Sequence, residues 1–251
     1  LKLNPEADDC WGSNYPFSVK ADDKVTPQTI MRLNRDHYEG TQYDLTKGLA
    51  SGPYGDPNRY DVAPVDNMTL VEALSGSYER AIGMYRTSYS QISQARGRLP
   101  GMIGARVWFS PSTPSSGAYI PLYVVAKYIP TCYTTGSLFK YDPKVAFWQF
   151  NSVGNYINRF YKYAMPDLQA VQNKLEDQFV LEAEGNDIAA MALYNAKKQE
   201  FTGSLAETIA FAPSNDVVSN EIVELYTNFE QDLARRIMAS WTALFESILT
   251  K

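Results

Sequence analysis

Histidine is nearly missing from this 251-residue chain: there is one, His37, beside only two cysteines, Cys10 and Cys132. So few imidazoles and thiols, set far apart and with no CxxC spacing, cannot furnish the four ligands of a structural zinc site. A self-contained Ser-His-Asp or Cys-His apparatus would have to take His37 as its base. There is no basic stretch either. The net charge is −5 with acids and bases interleaved, so no nucleic-acid partner is expected. Nor does any apolar run approach the roughly 20 residues of a spanning helix. The longest, Tyr119–Tyr128, is broken by Pro121 and Lys127, so no membrane span is expected. An initiating methionine and a signal-like apolar leader are also missing. Leu1 does not look like a natural start, and its exposure by processing, proteolysis or choice of fragment is the expectation.

Aromatic residues, by contrast, are plentiful: 18 Tyr, 11 Phe and 4 Trp make up 13% of the chain. With 45% apolar and 20% charged residues the composition is that of a folded protein. Rings in this number favour an aromatic core and a subunit interface over a stacking surface for sugars or bases.

Thr26-Pro27 opens a helix, with threonine as cap and proline in the first turn, and the helix is predicted to run to about Tyr38, before Gly40. From Gly40 to Pro64 glycine and proline recur and aliphatics are few, which predicts a long loop of turns. Arg80 to Val125 reads as β structure. Within it Arg106–Phe109 and Ala118–Val124, joined by a Ser/Pro/Gly turn, form a hairpin in which Pro121 marks an edge or bulge. After Pro143 the apolar period changes to 3.6. The clearest stripe is Ile222, Leu225, Phe229, Leu233, Ile237, Trp241, Phe245 and Ile248. The fold class is therefore α+β. Residues 1–142 are expected to hold the turn-rich loops and strands, and 143–251 a helical region packed on them as one unit.

The string Arg35-Asp36-His37-Tyr38-Glu39-Gly40-Thr41, followed by Tyr43-Asp44-Leu45-Thr46-Lys47-Gly48 and by Gly52-Pro53-Tyr54-Gly55-Asp56-Pro57-Asn58-Arg59, resembles the signature of the dipeptidase A family. Leu99–Phe109, Tyr119–Tyr123 and Ala146–Phe150 resemble later parts of the same family. The resemblance implies a cysteine-type N-terminal-nucleophile hydrolase with an αββα sandwich, to which this chain would supply later strands and a C-terminal helical region. It implies acyl-enzyme cleavage of short peptides without metal or organic cofactor. The thiolate and α-amine of a first-residue cysteine would do the chemistry. Leu1 stands first here, so the expected partner is the missing N-terminal portion of the same polypeptide, and the chain alone is expected to be inactive. The resemblance also implies a secreted or periplasmic location, while the wealth of aromatic residues and the long helices lead to an expected assembly of like subunits. The alternative is a non-catalytic binding or assembly module of the same fold.

Candidate site residues follow from both sources. Arg35 and Arg59 have the guanidinium fork that grips a peptide carboxylate, and Asp36, His37 and Glu39 stand beside Arg35 as further substrate contacts. The competing account is a salt-bridged network that pins the long loop. The resemblance implies an arginine on a core strand that helps the nucleophile ionise, and Arg80 is the candidate for that part. Cys10, preceded by Asp8 and Asp9, and Cys132 read as ordinary cysteines.

Overall fold

The computed structural model describes residue 18 and residues 20–58, 80–204 and 219–250. Helix α1, Pro27–Leu33, begins with a reciprocal cap: the Thr26 hydroxyl accepts from the Thr29 amide at 3.2 Å, and the Thr29 hydroxyl accepts from the Thr26 amide at 3.3 Å. It ends five residues short of the expected Tyr38. The Asp36 carboxylate accepts from the Tyr38 amide at 2.8 Å, and Tyr38 takes φ 63°, so a side-chain turn has replaced the next helical turn.

The expected strand region also starts later than its sequence suggests. Residues 80–88 are not a strand. Gly83 instead donates to the Asp36 carbonyl at 3.0 Å, tying this connection to the end of α1. Strand β1 is Tyr89–Ala95; after the short helix α2, Gly101–Gly104, come β2, Ala105–Pro111, and β3, Ile120–Tyr123. They form one antiparallel sheet in the order β1-β2-β3, with Ile92 opposite Trp108 and Trp108 opposite Pro121. Pro121 is tolerated because β3 is an edge strand, where the missing N–H leaves no neighbour unsatisfied.

After the single turn of α3, Thr131–Thr134, three helices follow: α4, Ala146–Ile157; α5, Tyr161–Ser204; and α6, Asn220–Leu249. The periodic stripe of α6 is buried at Ile222, Phe229, Leu233, Ile237, Trp241 and Ile248, and the gaps are filled by Tyr226 and Leu244. α5 and α6 cover one face of the sheet. Tyr123 stacks on Tyr226 with ring centroids 3.8 Å apart, and the Trp241 indole donates to the Ser116 carbonyl at 2.9 Å. One apolar cluster joins Met31, the inner sheet residues and all three long helices. On the other face, Tyr89, Gln91, Ser93 and Ala95 of β1 are exposed. The architecture is α+β. Among the described residues no helix is long and apolar enough to cross a membrane.

Candidate active-site groove

The segment after α1 is built around two buried anchors. The first is Arg35, whose guanidinium donates to both oxygens of Glu176 on α5 and, through Nε, to the Pro114 carbonyl at 2.8 Å. Burial and four donated N–H bonds leave it no free edge, since Nη2 also reaches the Gly117 carbonyl at 3.4 Å. The fork expected to hold a substrate carboxylate is engaged with a carboxylate of the protein itself. Asp36 is likewise engaged locally with the Tyr38 amide.

The second anchor is His37, only 2% exposed. Nδ1 lies 3.0 Å from Glu39 Oε1, and Nε2 lies 3.0 Å from the Gly83 carbonyl and 3.4 Å from Ser115 Oγ. Carboxylate, imidazole and hydroxyl thus follow one another in the order of a catalytic triad. The geometry does not support that chemistry. A carbonyl only accepts, so Nε2 in that bond carries a proton and cannot take one from Ser115. The cavity beside the ring, about 10 Å³, has room for one water at most and none for a substrate. His37 clamps the loop to residues 83 and 115.

Beyond the clamp the chain makes a tight nest. Asp44 accepts from the amides of Thr46 and Gly40 at 3.0 and 3.1 Å, from the Thr46 hydroxyl, and pairs with Lys47 at 3.0 Å. Burial alone would push this carboxyl up. The bonds from Thr46, Gly40 and Lys47 outweigh it and hold Asp44 far below the usual carboxylate range. Gly55, at φ 69°, lets the returning strand of the loop lie against the Thr46 carbonyl, which an added Cβ would meet at 3.0 Å. The Lys162 amide then donates to the Tyr54 carbonyl at 2.9 Å, fixing the loop to the start of α5.

Between this loop and α5 runs a groove of about 610 Å³, in the size range of ligand sites. Glu39, Lys47 and Gly52 lie on one wall, and Tyr161, Lys162, Met165 and Gln169 on the other. Burial opposes the charge on Glu39, but hydrogen bonds from the His37 ring and backbone overcome it and lower its pKa. Tyr161 is shifted the opposite way, first by burial and then by the charges of Glu39, Asp56 and Asp44. The groove therefore presents an ionised carboxylate, a phenol that stays protonated, and two lysines, of which Lys47 is 73% exposed.

Of the six residues singled out from sequence, Arg35, Asp36, His37 and Glu39 come together, and of these four only Glu39 lines the groove. Arg59 lies outside the described residues, as does Cys10. Arg80 is exposed and nine residues before β1, so the strand position that its role assumed is not where it sits. Its carbonyl accepts from the Tyr38 hydroxyl at 3.0 Å. The buried strand arginine is Arg106, on β2. Cys132 is half-buried, and burial raises its thiol. Sequence reasoning missed Glu176 and Asp187, which stand among the buried apolar residues of α5 such as Leu175, Phe179 and Ala183. An acid at a position where the stripe calls for an apolar side chain was the available signal.

The class of protein comes from comparison with known sequences. The model of peptidase family C69 matches residues 1–174, and the chain belongs to that family. A probable dipeptidase B of Lactococcus lactis subsp. lactis is 23% identical over 209 residues, which cover 79% of this chain and 39% of that protein. The chain thus spans less than half the length of this curated relative.

Proposed function

We propose that this chain is part of a dipeptidase-like cysteine hydrolase, and that the groove beside Glu39 seats its short peptide substrate. The observation that carries the reading is the charge pattern of the groove. Glu39, kept ionised by His37, suits a peptide ammonium, while Lys162 suits a terminal carboxylate, with Lys47, paired with Asp44, beside it. A free dipeptide is a zwitterion of that kind. Tyr161 and Gln169 add neutral hydrogen-bonding groups, and Met165 and Pro166 give apolar surface for side chains.

The reaction is acyl transfer. A cysteine thiolate attacks the peptide carbonyl, the amine product leaves with a proton, and water releases the acyl group. We place the nucleophile on a part of the polypeptide outside this chain. The raised, half-buried Cys132 thiol is a poor thiolate, and the relative is more than twice the matched length. The exposed outer face of β1 fits a sheet that receives a second layer, as an αββα sandwich requires. By itself the chain then has substrate-binding walls and no reacting atom.

Dipeptide hydrolysis by the full-length polypeptide, with and without a thiol-alkylating reagent, tests this. Alkylation should abolish turnover, and Glu39→Gln should raise KM more than it lowers kcat. Turnover that resists alkylation would rule out the cysteine. A second reading, assembly of like subunits, is favoured by the patch at Leu138, Phe139 and Tyr141, where Phe139 is wholly exposed. Sedimentation of wild type against Phe139→Ser decides it.

A further inference from the structure

A second cleft lies away from the groove, where the β1–β2 connection faces the middle of α5. It encloses about 370 Å³ among Gln94, Arg96, Arg98, Arg106, Asp187 and Met191. Its floor is a buried guanidinium. Arg106 is 4% exposed; Nε donates to Gln94 Oε1 at 2.7 Å, and Nη1 donates to the Tyr123 hydroxyl at 3.1 Å and to Asp187 at 3.2 Å. Nη2 has no hydrogen-bond partner among the described residues. Two strong donors are thus left over on a side chain that lines a cleft, where an acceptor entering the cleft can reach them.

The local charge has the same imbalance. Arg96 also bonds to Asp187 and to the carbonyls of Ile103 and Gly104, so one carboxylate serves two guanidinium groups. The hydroxyls of Tyr123 and Tyr226 both donate to Asp187, at 3.1 and 3.0 Å, and bring no charge. Counting the cleft as a whole, Arg96, Arg98 and Arg106 face Asp187 and Glu184, which leaves one positive charge uncompensated. The remaining wall, Leu99, Ile188 and Met191, is apolar.

We propose that this cleft is a binding site for a monocarboxylate carrying an apolar side chain, its oxygens on Nη2 of Arg106 and on Arg98, its side chain against Ile188 and Met191. A single negative charge completes the balance. A dianion would set a second charge against Asp187 and Glu184. Planar oxygens match the guanidinium edge, which makes carboxylate the better fit. The site does not depend on the peptide groove and stands or falls apart from it.

Isothermal titration of the full-length polypeptide with N-acetyl-leucine tests the proposal, with neutral N-acetyl-leucinamide and sodium sulfate as comparison probes. N-acetyl-leucine should bind saturably at one site, and both comparison probes at least about tenfold more weakly, the scale of one charge-assisted bond. Arg106→Gln should abolish binding. Because Arg106 belongs to a buried network, the rim variants Arg98→Gln and Ile188→Asp keep the test open, and each should weaken binding by a similar factor. Equal affinity for the amide, binding indifferent to both rim variants, or no saturable binding would overturn the site. Sulfate binding as tightly as N-acetyl-leucine would make it an inorganic-anion site and overturn the carboxylate assignment.

Discussion

Arg35 and Glu176, 141 positions apart, form a two-pronged ion pair: Nη1 donates to Oε2 at 2.8 Å and Nη2 to Oε1 at 2.5 Å. The same carboxylate accepts from the Tyr119 amide at 2.8 Å, so one acid ties the loop after α1, the approach to β3 and helix α5. Arg35→Gln leaves Glu176 buried without its counter-charge, which costs about 3–5 kcal/mol. Urea unfolding should register that loss. A substrate-gripping Arg35 would instead show near wild-type stability and a raised KM, which would refute the bracing role.

Two helical glycines should respond to alanine in opposite directions. Gly154, in α4, faces Ser116, whose Cβ and Oγ would both lie 2.7 Å from an added Cβ. Gly154→Ala should therefore destabilise by about 1–3 kcal/mol despite alanine's helix propensity. Gly185, in α5, has nothing within 4 Å of that position, and Gly185→Ala should stabilise by roughly 0.5–1 kcal/mol. Thermal melts of the two variants settle the matter. A common sign would contradict the packing at Ser116.

Glu230 makes stability fall from weakly acidic to slightly alkaline pH. It is fully buried, Oε1 accepts from the Tyr123 amide at 2.5 Å, Oε2 has no partner, and burial pushes the carboxyl up to about 8. Between the ordinary glutamate value and about 8 the folded protein keeps a proton that the unfolded chain has released. Stability therefore falls as pH rises through this window, by at most about 1.4 kcal/mol per pH unit. Glu230→Gln retains an acceptor for Tyr123 and removes the titration, so its advantage should grow from pH 5 to pH 8. Parallel pH profiles for the two proteins would contradict this.

Asp44 acts on the acid side. Its pKa is held far down in the folded state, so its contribution is complete above the ordinary aspartate value and fades as pH falls through the folded one. Asp44→Asn should weaken protection of the amides of Gly40 and Thr46 in hydrogen exchange at neutral pH. The difference from wild type should shrink in strong acid. An unchanged exchange pattern at neutral pH would show that the nest is held by other bonds.

Periodicity and turn chemistry are local, and they carried far. The Thr26-Pro27 start, the β2–β3 hairpin with Pro121 at its edge, and the stripe of α6 all followed from residue spacing, because each is decided by neighbours within a few positions. The RDHYEGT string located the segment that walls the groove and pointed to the right family. What each charged residue of that string does was decided elsewhere. Arg35 is engaged because Glu176 arrives on a helix far along the chain, and His37 is a clamp because Gly83 and Ser115 close around its Nε2. Glu39 alone faces the groove, since its partner His37 is buried behind it. The same holds for the second cleft: nothing near Arg106 in sequence reveals that Asp187 is shared with Arg96 and that one edge of the guanidinium is left open. The free energy of a charge depends on which distant groups desolvate and pair it, and only tertiary packing brings those groups together.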